Sequence, residues 1–159
     1  MEELLTQLKA KLIELISLLT MSPKIVKLSL LIAQYEGNEP GMRAFRNNNP
    51  GNFRYSAVGY APVYGAVERD KDGFAIFPTK DKGWLYLRNF LLTLAKGQSV
   101  TYNFAAKKLK LKNCSELTLT QMMRTYAPSE DHNDPDAYAK YLIKGLNVDE
   151  AFQLKDLLL

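Results

Sequence analysis

Ile25-Val26-Lys27-Leu28-Ser29-Leu30-Leu31-Ile32-Ala33-Gln34-Tyr35-Glu36-Gly37 decides how the rest of this chain is read. Apolar residues dominate as far as Tyr35, and Ser22-Pro23 ahead of them supplies a capping hydroxyl and a first-turn proline. Gly37 then stops the run, so the pattern predicts a helix ending at Tyr35. Glu36 stands at the C-terminus of that helix, where partial negative charge disfavours a carboxylate. That position, with apolar neighbours, favours the neutral acid and should raise its pKa. A protonated carboxyl facing a cleft is what cleavage of a glycosidic bond requires.

Downstream, the composition changes. Arg46-Asn47-Asn48-Asn49-Pro50-Gly51-Asn52-Phe53-Arg54-Tyr55 is almost entirely turn chemistry. Asp72-Gly73, flanked by Tyr64 to Glu68 and by Phe74 to Phe77, is a hairpin signal, and residues 38 to 78 read as a small antiparallel sheet or ribbon. From Thr79 the pattern is helical again. Helices are expected over Thr79–Ala95 with Gly97 as stop, from Thr101 to about Lys110, and from the capping box Thr118-x-x-Gln121 through Tyr126. Pro128 ends that helix, Asp134-Pro135 opens another, and Asn147-x-x-Glu150 has capping-box spacing for a last helix through Leu158.

Upstream, Leu4, Leu5, Leu8, Leu12, Ile13, Leu15 and Ile16 fall near helical spacing, so residues 1–20 read as an amphipathic helix. Its Glu2, Glu3, Lys9, Lys11 and Glu14 do not fit a secretory signal, and they leave no charge-free stretch long enough for a membrane span. The apolar stripe requires cover, as a lid on the core or as a contact with another copy or assembly. The 159 residues suit one domain, with 47% hydrophobic and 24% charged residues. Twenty-one basic against 17 acidic side chains give +4, a mild charge that suits an anionic polymer without identifying one. One cysteine, Cys114, excludes an internal disulfide, and a single histidine, His132, argues against a metal site; no cofactor is expected.

Four segments carry a family resemblance. Ala33-Gln34-Tyr35-Glu36-Gly37 looks like the helix end of phage lytic transglycosylases. Arg46 to Arg54 is similar to a loop of small lysozyme-like phage and bacterial proteins. Gly73-Phe74-Ala75-Ile76-Phe77-Pro78 with Gly83-Trp84 resembles a segment that often comes after that loop in the same proteins. Thr125-Tyr126-Ala127-Pro128 with Asn133-Asp134 and Tyr138 resembles the tail of the same group. The Gly-Leu-Met-Gln motif of soluble bacterial transglycosylases is absent, and residues 1–20 have no counterpart.

The order of elements reads as an α+β domain, mostly helical, with one small β lobe inserted after the second helix. The resemblance implies that residues 21–159 form it as a lysozyme-like domain, with residues 1–20 standing outside it. It implies cleavage between N-acetylmuramic acid and N-acetylglucosamine on peptidoglycan strands, with Glu36 as general acid and base. A phage or mobile-element protein of this kind waits in the host cytoplasm or virion until it reaches the wall. Asn49, Gly51, Asn52, Tyr55, Phe77 and Tyr126 are the candidate substrate contacts, although asparagine and glycine also serve turns and aromatic residues serve cores. Glu39, Glu68, Asp70 and Asp72 are the carboxylates available as a second catalytic group, and the Asp70–Gly73 segment reads as an exposed tip. A transglycosylase needs no such partner, which slightly favours that route. The competing class is a non-catalytic assembly protein of the same fold. A helical nucleic-acid binder using Lys107 to Lys112 is a weaker one, and no nucleic-acid partner is expected.

Overall fold

The computed structural model describes residues 2–19, 21–55 and 65–159; Met1, Thr20 and Tyr64 therefore lie outside the described residues. Helix α1 spans Glu2–Leu19. Leu4, Leu5, Leu8, Leu12, Leu15 and Ile16 along it are exposed and belong to neither core cluster. Helix α2 spans Pro23–Tyr35, with the Ser22 hydroxyl accepting from the Lys24 N–H. Glu36 is its C-cap, and Gly37 takes φ 69°, the left-handed turn that glycine makes without penalty.

A short helix, α3 (Arg43–Arg46), precedes the asparagine loop, where the sequence pattern predicts only irregular chain. The β lobe is a two-stranded antiparallel sheet of β1 (Glu68–Arg69) and β2 (Ala75–Ile76), paired Glu68 to Ile76 and Arg69 to Ala75. The turn thus spans Asp70 to Phe74, longer than a two-residue Asp-Gly hairpin. Its geometry comes from Asp70, whose Oδ1 accepts from the N–H groups of Asp72 and Phe74 at 3.0 and 2.9 Å. Partial desolvation acts upward on this carboxyl, but those bonds and one from Asn47 hold it below the usual range.

The second half of the chain is helical, as expected. It comprises α4 (Lys80–Ala95), α5 (Val100–Lys108), α6 (Leu119–Tyr126) and α7 (Pro135–Leu146). Thr79, Ser99, Thr118 and Asp134 cap these helices, and Thr118 and Gln121 form both bonds of the capping box. The expected helix from Asn147 does not form. Asn147 adopts φ 59° and terminates α7, so its spacing to Glu150 reflects a helix end and not a start. A short 3₁₀ helix follows only at Leu154–Leu158, where Asp156 Oδ2 accepts from the Gln153 N–H.

The core is centred on α2. Ile25, Leu28 and Ile32 are wholly buried against Leu87, Leu91 and Leu94 of α4 and Leu142 of α7. A second cluster, Ala75, Phe77 and Tyr86, fills the β lobe. At Gly83 an added Cβ would lie 1.8 Å from the Asn48 carbonyl oxygen, so only glycine lets α4 press directly on the asparagine loop. Among the described residues no helix is long and apolar enough to cross a membrane.

Candidate active site

The asparagine loop is where local sequence becomes site geometry. Asn47 Nδ2 donates to Asp70 Oδ2 at 2.7 Å, and Asn48 Nδ2 donates to the Phe77 carbonyl at 3.0 Å. Asn49 is wholly buried. Its amide donates to the carbonyls of Phe53 and Ala75, and its oxygen accepts from the Phe53 N–H, all at 2.9 Å. These three side chains fasten the loop to the β lobe. Asn48 and Asn52 take φ 51° and 49°, a left-handed conformation that asparagine tolerates better than most residues.

Asn52 faces the other way. Its Oδ1 accepts from Arg43 Nε at 3.1 Å, which fixes the amide so that Nδ2 donates to Glu36 Oε2, also at 3.1 Å. From the opposite side the Tyr138 hydroxyl donates to Glu36 Oε1 at 3.0 Å. Both oxygens of the acid are therefore held by elements distant in sequence, the loop and α7. Each retains a lone pair on which a proton can sit.

Glu36 is half-buried at a cleft of about 710 Å³ between the β lobe and the helices. Aromatic rings run beside it: Phe53 meets Tyr126 edge-on at 5.7 Å, and Tyr126 meets Tyr138 edge-on at 6.2 Å. Desolvation by this surround raises the Glu36 pKa, outweighing the hydrogen bonds from Asn52 and Tyr138 and the nearby positive charge of Arg43. A carboxyl biased toward its protonated form beside an open cleft is suited to proton donation.

Of the residues the sequence singles out, Glu36, Gly51, Asn52 and Tyr126 line this cleft. Tyr126 also donates its hydroxyl to the Gly51 carbonyl, tying α6 to the loop. Asn49 and Phe77 do not line it: the first holds the loop together, and the second is core of the β lobe. Tyr55 packs against that same lobe core and is not a cleft residue. The sequence reading misses Arg43, and it includes Tyr138 in the resembling tail segment without giving it a site role. No local pattern assigns either one to Glu36, because Arg43 acts through Asn52 and Tyr138 reaches the acid from 102 residues away.

The carboxylates sort clearly. Asp72 lines the cleft, with its Oδ2 3.9 Å from Arg43 Nη1, whereas Asp70 is engaged within the turn. Glu39 and Glu68 are exposed and outside the lining. His132 is exposed in a left-handed helix cap, and Cys114 is buried with its thiol toward the Leu94 carbonyl. No three His, Cys, Asp or Glu side chains among the described residues come together as a metal site would require. No family model, curated protein or solved structure matches this chain.

Proposed function

We propose that this chain cleaves the bond between N-acetylmuramic acid and N-acetylglucosamine in peptidoglycan, with Glu36 as general acid and then base. One observation carries the reading: a half-buried carboxyl at a cleft, its pKa raised, is held on both oxygens by Asn52 and Tyr138. The four resembling segments support it, since three of them supply Glu36, Asn52 and Tyr126 to one cleft.

In this scheme Glu36 gives its proton to the bridging oxygen as positive charge develops on the muramic ring. For a transglycosylase, the muramic 6-hydroxyl then attacks the anomeric carbon and returns its proton to Glu36, leaving a 1,6-anhydro end. Asp72 is already opposed to Arg43. This favours ring closure by the substrate's own hydroxyl over use of that carboxylate as a nucleophile. The Asp72 position within the cleft supports hydrolysis as the second reading.

The test is digestion of purified peptidoglycan by wild type, Glu36→Gln and Asp72→Asn, with products identified by mass spectrometry. Anhydro-muramyl ends that vanish in Glu36→Gln and persist in Asp72→Asn are expected. Reducing muramic ends that vanish in both variants would replace transglycosylation with hydrolysis. No product from a folded wild type would favour a non-catalytic assembly role.

A further inference from the structure

At the β-lobe edge of the cleft, two cations share one aromatic ring. The Arg43 guanidinium lies 3.5 Å from the Phe74 ring centroid, and that of Arg54 lies 4.8 Å from it. Both arginines, Phe74 and Asp72 line the same cleft as Glu36. Two guanidiniums drawn to one ring place two positive charges at this edge of the cleft, and an anion there is attracted by both. Asp72 balances one of them, its carboxylate 3.9 Å from Arg43. It offers Arg54 only its backbone carbonyl, at 3.4 Å. Among the described residues, no carboxylate stands within ion-pair distance of Arg54. Asp70, the other carboxylate of this turn, interacts with Arg43 but is engaged by the N–H groups of Asp72 and Phe74 and by Asn47. Arg54 is therefore the guanidinium left without a carboxylate partner among the described residues.

The ring also limits how these groups move. A guanidinium stacked on an aromatic face holds its N–H groups in one plane, where those not already bonded can donate to a carboxylate. Arg43 is further pinned by its bond to Asn52, the same residue that holds Glu36. An anion held by Arg43 would therefore stand in fixed relation to the bond being protonated.

We propose that Arg43 and Arg54, arrayed on Phe74, form a subsite for a carboxylate carried by the glycan beside the scissile bond. The substrate class is then an acidic glycan, distinguished from a neutral N-acetylglucosamine polymer with the same backbone linkage. This inference rests on the glycan-cleaving function proposed for Glu36. Two carboxylates on peptidoglycan share the required chemistry: the lactyl group of peptide-free muramic acid, and the acidic residues of the stem peptide.

Binding in the Glu36→Gln background separates this proposal from catalysis. Calorimetry would compare three soluble ligands: a neutral N-acetylglucosamine oligosaccharide, peptide-free glycan strands, and strands bearing stem peptides. The acidic strands should bind more tightly than the neutral one, and adding Arg54→Gln should reduce that preference about tenfold, as expected for one lost charge-assisted contact. Arg43→Lys, which keeps charge but loses the fork, should reduce it less. A preference for peptide-free strands assigns the lactyl group; a preference confined to stem-bearing strands assigns the peptide. Equal binding of neutral and acidic ligands, or a preference that both folded variants retain, overturns the subsite. An Arg54-dependent preference in a protein that cleaves nothing would uphold it while ending the enzymatic reading.

Discussion

Glu36 combines two demands that usually oppose each other. Its surround favours the neutral form, while Asn52 and Tyr138 donate to its oxygens and so favour the ion. Desolvation prevails, and the folded chain holds this proton more readily than the unfolded chain does. The stabilising effect is complete below the unfolded pKa and is lost as pH rises through the raised folded pKa. Glu36→Gln, which is neutral at every pH, should therefore melt above wild type at about pH 8 and converge with it near about pH 4. Thermal unfolding by circular dichroism checks this; a variant that melts lower at the alkaline end would contradict the burial argument. Tyr138→Phe removes one donor to the ionised acid, so the Glu36 pKa should rise further. In that variant the alkaline limb of the pH–rate profile should move to higher pH, with Arg43 and Asn52 still acting in the opposite direction.

At the scale of elements, the decisive unit is the asparagine loop together with the β hairpin it holds. Asn49 alone makes three hydrogen bonds to backbone that is otherwise shielded from water. Asn49→Ala should leave those groups unpaired, at about 1–3 kcal/mol for each buried group that finds no other partner. For a domain of this size, each lost kcal/mol lowers Tm by about 2–4 °C. The variant should also lose cleavage, because the hairpin that carries Asp72 and Phe74 is fastened to the helices through Asn47, Asn48 and Asn49. A thermal melt and a product assay on one preparation would test both outcomes. The loop was legible as turn chemistry, whereas the bond from Asn52 to Glu36 was not. That Asn49 instead serves the lobe was not legible, since an asparagine reads alike whether its amide meets backbone or ligand.

For the whole molecule, the contrast lies between the body and α1. Leu142 is wholly buried where α7 meets the core, whereas Leu12 on α1 is 56% exposed. Leu142→Ala should cost about 2–5 kcal/mol by leaving a cavity, and Leu12→Ala should stay within about 0.5 kcal/mol. Chemical denaturation followed by Trp84 fluorescence distinguishes the two. Caps and apolar period were enough to place α2 and α4 to α7, though not the short α3, because those signals act within a few residues. Local chemistry also marked Glu36, since the conflict between a carboxylate and a helix C-terminus is local. Where a local signal served two roles it misled: Asn147 carries capping-box spacing and in the fold ends a helix. The surroundings of Glu36 were settled by packing alone. Packing brought Tyr138 from 102 residues away and set Arg43 behind Asn52. It also buried Phe77 while leaving Tyr126 on the cleft. Those placements arise where the lobe and helices meet, and that fit depends on every element at once.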